Sequence, residues 1–405
     1  MNSFTVLIIE TALSGHRGEY VRWITCSFLE KKYKVILALP EDAIKHQSID
    51  GLSDPMLKIV PFEKVLPGGV YHWIKKTGLI GSDYFHYVLF KKIFKKISNN
   101  ESIDGVFIPF IDYALYSISV LGSPFPRCKF TGISMRPDFH YAALGLNVPV
   151  RRGANIKKYI FNRLLSNPEL TSLLTLDEAM FQYYSETTPG KLQLLPEPAE
   201  YVKPDNLTVE RVQADLHLSQ GAKKILVYGS LTKRKGIINL LKAILRLDDS
   251  CGFQAVFAGK MEDEVLVELS KDDYKLLLEN KRLLVIDRFI SSEEESVLFS
   301  TAYCCWLGYI GHYRASGVLI QSCHYKLPVL ATNEGIIGWQ VGKYAPGILM
   351  DAYSVDDIHQ SIESMLYDEK AYFYYKNNAG KAFVANTFRN AKMITGCSFG
   401  DFSTE

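Results

Sequence analysis

Long apolar runs are missing from this sequence. Although 47% of its 405 residues are hydrophobic, no stretch approaches the ~20 consecutive apolar residues that a membrane-spanning helix needs. The opening residues, from Met1 to Glu10, lack a basic leader and a long apolar core. They read as a first β-strand and not as a secretion signal, so a cytoplasmic location is expected. Cysteine is scarce and unpatterned. The seven, Cys26, Cys128, Cys251, Cys304, Cys305, Cys323 and Cys397, are odd in number and show no zinc-ligand spacing. They read as small core residues, which argues against a redox role for the adjacent pair Cys304 and Cys305.

An excess of one charge is missing as well. The net formal charge is +2, divided as +5 over residues 1–198 and −3 over the remainder. A nucleic-acid binder usually needs a much more basic face, so no nucleic acid is expected as a partner, while the first half stays compatible with an anionic membrane surface. Hydrolytic signatures are absent: there is no Gly-x-Ser-x-Gly elbow and no His-Glu-x-x-His. No Asp-x-Asp is present to hold a divalent ion on a phosphate. No metal or other cofactor is expected.

What is present is a regular alternation of strands and helices. Apolar runs predict strands at Thr5–Ile9, Lys34–Leu39, Gly105–Ile108, Lys129–Ser134, Ser172–Leu176 and Lys191–Leu195. A second series follows at Lys224–Tyr228, Gln254–Ala258, Leu283–Ile286, Tyr303–Trp306, Pro328–Thr332 and Gly347–Leu349. Helical periodicity lies between them, as at Glu19–Leu29, Ile156–Leu165, Ile237–Leu247, Glu264–Glu279, Glu293–Ser300, Gly317–Tyr325 and Val355–Tyr367. The expected fold class is α/β, with two Rossmann-like doubly wound domains facing a central cleft. The chain length suits two cores. Pro196 and Pro198 resist both helix and strand and mark a linker. The expected domains are 1–198 and 199–385, followed by a tail, 386–405, that returns to the first domain and is helical over Ala382–Asn390.

Two loops in the second half could hold an anion. Gly229-Ser230-Leu231-Thr232-Lys233-Arg234-Lys235-Gly236 lies between a strand and an amphipathic helix. Gly229 permits a tight exit from the strand, and three consecutive cations precede a helix N-terminus. A solvated basic turn is the competing reading. The second loop runs from Gly308 through Tyr313-Arg314-Ala315-Ser316-Gly317 into a helix. Ser316 is placed as an N-cap, and Gly317 would let a ligand approach the first backbone N–H groups. A pyrophosphate needs small residues and unpaired donors of this kind.

With these two loops, residues 199–350 resemble the donor domain of the GT-B glycosyltransferases, specifically the group-1 (family 4) retaining set. The family's Gly-Arg-Leu-x-x-x-Lys-Gly loop corresponds to Gly229–Gly236. Its Glu-x7-Glu motif falls on Tyr313 and Gln321, followed by Lys326-Leu327-Pro328-Val329. The resemblance implies that Lys235, with Arg234 or Lys233 in place of the cation the family puts at Ser230, stabilises a departing diphosphate. It implies donor contacts from Gly229, Ser316, Gly317 and Val318, and a ribose contact from Gln321. It places Arg288 and Phe289, at a strand end, beside the base, with a core role for Phe289 as the competing reading. Tyr313 cannot repeat what the family carboxylate does, which implies either an unusual donor sugar or that His312 or Arg314 has taken over the contact.

In the first half, Ser14-Gly15-His16-Arg17-Gly18 opens the first helix, where GT-B proteins bring the N-domain toward the donor phosphate; Gly15 would serve that approach. His16, Arg136, Asp138 and His140, with Asp112 and Tyr113, fall on the side where the family binds its acceptor. The resemblance implies metal-independent transfer with retention, from a UDP- or GDP-sugar to a glycan or lipid-linked acceptor, in surface polysaccharide or glycolipid synthesis. Two basic amphipathic stretches, 84–97 and 150–161, are compatible with peripheral attachment at the inner face of a membrane; the competing reading of 84–97 is an ordinary helix that packs its apolar face on the sheet. A nucleotide-sugar epimerase and a catalytically silent glycan-binding scaffold are the alternatives.

Overall fold

The computed structural model describes residues 3–13, 17–64, 68–149, 152–185, 190–248 and 252–400. The chain divides into two compact units. Unit one comprises Met1–Leu144, Val150–Pro196 and Phe388–Glu405; unit two comprises Gly145–Pro149 and Glu197–Thr387. The boundary falls between the two prolines, at Pro196 and Glu197. The short excursion Gly145–Pro149 is tied to unit two by Asn147, whose carbonyl accepts from Gly335 N at 3.0 Å and whose amide donates to Asn333 Oδ1 at 3.1 Å.

The described residues of unit one form a seven-stranded parallel sheet. Its strands are β1 (Thr5–Ile9), β2 (Lys34–Pro40), β3 (Leu57–Phe62), β4 (Gly105–Ile108), β5 (Lys129–Ser134), β6 (Leu170–Thr175) and β7 (Leu192–Leu194), in the order β3-β2-β1-β4-β5-β6-β7. Unit two holds β8 (Lys223–Tyr228), β9 (Phe253–Ala258), β10 (Leu283–Ile286), β11 (Cys304–Leu307), β12 (Val329–Thr332) and β13 (Gly347–Met350), in the order β10-β9-β8-β11-β12-β13. All the pairings are parallel. Both sheets are covered on both faces, which is why the strands are almost wholly apolar. Along β1, Leu7 and Ile9 enter one core cluster and Val6 and Ile8 the other. Along β8, Ile225 and Val227 separate from Leu226 in the same way.

In each unit the first strand sits inside the sheet and the winding reverses beside it. Ligands of doubly wound folds bind at this reversal, outside the carboxyl ends of the strands. The relevant crevices lie between β1 and β4 and between β8 and β11.

Three expectations need correction. The stretch predicted as one helix over Glu264–Glu279 is two, Asp263–Leu269 and Asp272–Glu279. The helix predicted over Ala382–Asn390 begins only at Phe388, because the chain turns at Phe383, whose φ is 55°. From there Phe388–Gly396 packs on the helix Arg17–Glu30 of unit one, where Lys392 meets Glu30 at 2.7 Å. The third concerns 84–97, which belongs to the helix Gly68–Ser98, kinked at Gly78. Its apolar face, Phe90, Ile93, Phe94 and Ile97, is buried against the sheet, so it has no face left for a bilayer. Among the described residues no helix is long and apolar enough to cross a membrane.

Candidate active site

In unit two, the loops leaving β8 and β11 interlock at the expected crevice. After β8 the chain makes a 3-10 turn, Lys233–Lys235, and enters the helix Ile237–Ile244 through Gly236 at φ 67°. A Cβ on Gly236 would lie 2.0 Å from the Gly308 carbonyl, so glycine alone lets the loops approach this closely. Ile310 N donates to Arg234 O at 2.8 Å, and Trp306 Nε1 donates to Lys235 O at 2.7 Å.

Lys235 is the centre of this cluster and is only 8% exposed. Its ammonium donates to Tyr228 O at 2.5 Å and to the Tyr309 hydroxyl at 3.0 Å, which leaves the third of its N–H donors for a ligand. Ser316 Oγ lies 3.4 Å from the same hydroxyl. Ser316 occupies the N-cap position of the helix Gly317–His324 without a side-chain cap bond, because its hydroxyl turns to Tyr309. The first N–H groups of that helix have no intrahelical acceptor. Gly229, at φ 95°, passes close enough that its Cβ would stand 3.4 Å from Lys235 Nζ. Thr232 Oγ1, in the same turn, is buried with no hydrogen-bond partner among the described residues.

The field here is positive. His312 lies beside Arg234, Arg314 and Lys235, and burial together with these cations pushes its imidazole down to about 4. Arg234, Arg314 and Ser230 are exposed and Val318 is half-buried. Lys233 is drawn off to Glu264 at 2.7 Å. Tyr313 lies against the next loop, its carbonyl accepting from Ile336 N at 3.0 Å. Gln321 donates its amide to Glu200 O at 3.2 Å. The pair at the end of β10 divides its roles. Arg288 is forked onto Glu294, at 2.9 and 2.5 Å, whereas Phe289 is 84% exposed and free of the core.

Sequence reading missed Tyr309, which joins the two loops, and Glu197. The Glu197 carboxyl caps this region: its Oε1 is 3.1 Å from where a Cβ on Gly317 would be. Burial pushes it up to about 7. The signal was a carboxylate held between two rigid prolines.

In unit one, the crevice between β1 and β4 is lined by Glu10, Arg17, Phe110, Tyr113 and Arg136. Arg136 donates to the Tyr113 hydroxyl at 3.0 Å. Asp112 accepts from Ser134 Oγ at 2.8 Å and from the backbone N of Met135 and Arg136 at 2.6 and 3.1 Å, so it shapes the loop that carries Arg136. Gly15 and His16 lie outside the described residues. Asp138 pairs with Lys157 at 3.2 Å. His140 does not join them. It is fully buried and bonds Asp177 at 3.0 Å, which makes it a core residue and not an acceptor contact. Cys304 and Cys305 lie unbridged and buried in β11, where burial raises both thiols, that of Cys305 to about 11.

Comparison with known proteins relates unit two to one family by sequence and the chain to solved structures by fold. Residues 209–382, most of unit two, match the model of the family described as glycosyl transferases group 1. No curated protein matches the sequence. Solved structures share the fold at low identity. A glycosyltransferase from Rickettsia africae is 14% identical, with 97% of this chain and 96% of that one covered and a TM-score of 0.66. Sucrose-phosphate synthase from Thermosynechococcus elongatus is 14% identical over 98% of each chain, with a TM-score of 0.65. Anabaena HepE, solved in complex with UDP-glucose, is 10% identical over 96% of this chain and 98% of that one, at 0.62. Residues 209–382 thus resemble the glycosyl transferases group 1, and the chain as a whole shares its fold with solved glycosyltransferases.

Proposed function

We propose that unit two binds a nucleoside diphosphate sugar, a UDP- or GDP-sugar, and that unit one binds the acceptor, a glycan or a lipid-linked saccharide. The observation that carries the donor reading is the junction of Lys235, Tyr309 and Ser316 beside the N-terminus of Gly317–His324. It gathers a buried ammonium, a hydroxyl pair and free backbone donors, with Arg234 and Arg314 adding to the field at His312. A diphosphate supplies the negative charge and acceptor atoms this arrangement lacks. Phe289, exposed at the end of β10, gives the base an aromatic face.

In the reaction, the acceptor oxygen bonds to the anomeric carbon as the bond from that carbon to the phosphate oxygen breaks. Lys235 and Arg234, with the N–H groups of Gly317 and Val318, stabilise the charge gathering on the leaving diphosphate, which takes up the acceptor proton. Attack on the face of departure gives retention and requires no dedicated base. Among the described residues no group of three or more His, Cys, Asp or Glu could hold a metal ion. The reading assigns to the protein cations and the helix N-terminus the task a divalent ion performs elsewhere.

Peripheral membrane contact, in surface polysaccharide or glycolipid synthesis, is assigned to the described part of 150–161. Ile156 and Tyr159 are 66% and 63% exposed on the helix Ala154–Leu165, and Val120 and Leu121 are 58% and 54% exposed on the helix Leu115–Leu121, which packs against it. Arg152, Lys157 and Lys158 flank them.

Product analysis with a nucleotide-sugar panel and saccharide acceptors tests the function. A glycosylated acceptor with free nucleoside diphosphate supports transfer. An epimerised sugar, or binding without turnover, would replace it with the epimerase or the scaffold reading.

A further inference from the structure

Unit one carries a closely spaced pair of cations at the carboxyl ends of β1, β4 and β5. The Arg17 guanidinium lies 4.7 Å from the centre of the Tyr113 ring, and that of Arg136 lies 4.5 Å from the same centre. Both also lie over Phe110, at 4.9 and 5.8 Å. His86 stacks on Tyr113 at 4.8 Å, with its ring bonded to Ser82 O at 2.7 Å. Aromatic faces hold guanidinium groups without neutralising them and leave their N–H edges free.

The nearby carboxylates offset this charge only in part. Asp112 is used up in shaping the β5 loop. Glu10 stands 4.0 Å from Arg17, but its Oε1 accepts from the backbone N of Thr11 and Ala12 at 2.6 and 3.0 Å. Its Oε2 is buried without a partner among the described residues. Burial raises the Glu10 carboxyl to about 7, against the opposing pull of Arg17 and Lys64, so it is only partly ionised near neutrality. The ring of His86 is pushed toward neutrality by burial, with Arg17, Arg136 and Lys64 acting in the same direction. Two like charges beside one ring repel, and Arg136 lowers the Arg17 guanidinium for that reason, after the larger effect of burial. Two guanidinium groups on one ring, offset only in part by Glu10 and Asp112, are arranged for an anion from outside.

We infer that Arg17 and Arg136, braced by Tyr113 and Phe110, grip an oxyanion carried by the acceptor, either a phosphate or a carboxylate. The inference rests on reading unit one as the acceptor-binding unit. It makes the acceptor a charged saccharide or a phosphate-linked one, and it makes these two arginines determinants of acceptor choice. Guanidinium forks suit both oxyanions because each offers paired oxygens at matching spacing.

The test is a calorimetric titration of inorganic phosphate into the full chain with UDP saturating, repeated without UDP in Lys235→Ala. Saturable binding is expected in both, weakened about tenfold or more in Arg136→Met, the loss of one charged hydrogen-bonded contact. Arg17→Met should weaken it similarly and Arg136→Lys less. Glucose 6-phosphate or glucuronate should then bind at least about tenfold tighter than glucose. Arg136 is exposed, so its removal leaves the fold intact, as a melting curve will verify. Absence of saturable phosphate binding, or equal binding in wild type and Arg136→Met, overturns the inference. So does equal affinity for the charged and neutral sugars. UDP binding is read separately: its failure with phosphate binding intact counts against the donor reading alone.

Discussion

The ammonium of Lys235 and the hydroxyl of Tyr309 meet at 3.0 Å, joining a turn that follows β8 to a loop that follows β11. These two segments are 74 positions apart in sequence. They become one site because parallel winding makes β8 and β11 neighbours and because Gly236 and Gly308 let their loops touch. Tyr309 holds Lys235 at the mouth of the helix Gly317–His324.

Lys235→Ala should therefore cost on the order of 2–4 kcal/mol in the barrier to transfer, as removal of a preorganised charge stabiliser does elsewhere. Tyr309→Phe keeps the ring and removes the hydroxyl, so it should cost less, about 1 kcal/mol. Steady-state kinetics on variants with wild-type circular dichroism measure both. Turnover unchanged in Lys235→Ala would move the diphosphate elsewhere.

His312 reports the field of the site. It is held down to about 4 by burial and by Arg234, Arg314 and Lys235. A bound diphosphate offsets those cations and favours the imidazolium, so UDP should raise the His312 pKa. Titration of the imidazole signals by NMR, with and without UDP, follows this shift; His312→Gln identifies the resonance. No change on saturation with UDP would contradict a diphosphate beside these cations.

The strands were readable from the sequence because burial on both faces makes them nearly continuous apolar runs. β3 was not, since Lys58 and Pro61 interrupt Leu57–Phe62; at the edge of the sheet the proline costs no ladder bond. The glycine and cation loops were also readable, because small residues before a helix have few other purposes. Tyr309, Glu10 and Glu197 were not. Their roles come from burial and from neighbours distant in sequence, which no local pattern encodes. His140 erred in the opposite direction: its place after β5 suggested a rim residue, but the chain folds back and seals it against Asp177.

Glu197 should make donor binding pH-dependent. Burial raises its carboxyl to about 7, so it is largely neutral at pH 6 and anionic at pH 8. Once ionised, it sets a negative charge beside Gly317, against the proposed diphosphate. Affinity for a UDP-sugar should fall as pH rises through this range, by ~1–2 kcal/mol for charges several ångströms apart at moderate dielectric. Glu197→Gln should flatten the profile. Stability follows the same sign: a carboxyl raised in the fold keeps its proton there, so its contribution declines from the ordinary carboxylate range up through about 7.

Gly236→Ala tests the junction of the loops without touching a charge. The residue is at φ 67° and its new Cβ would meet the Gly308 carbonyl at 2.0 Å. Urea unfolding should show a loss on the order of 3 kcal/mol or more. Gly221→Ala, at φ 81° with nothing within 4 Å, should lose only ~1–2 kcal/mol from the backbone conformation. Equal losses would mean that the loops do not pack as described.

The central claim is that the cluster around Lys235 holds a nucleoside diphosphate sugar. Calorimetric titration of wild type and Lys235→Ala with UDP-glucose, UDP-N-acetylglucosamine and GDP-mannose tests it most directly. Saturable binding of at least one donor, weakened about tenfold or more by the substitution, is the predicted result. Binding of none of the donors, or equal binding by both proteins, would contradict it.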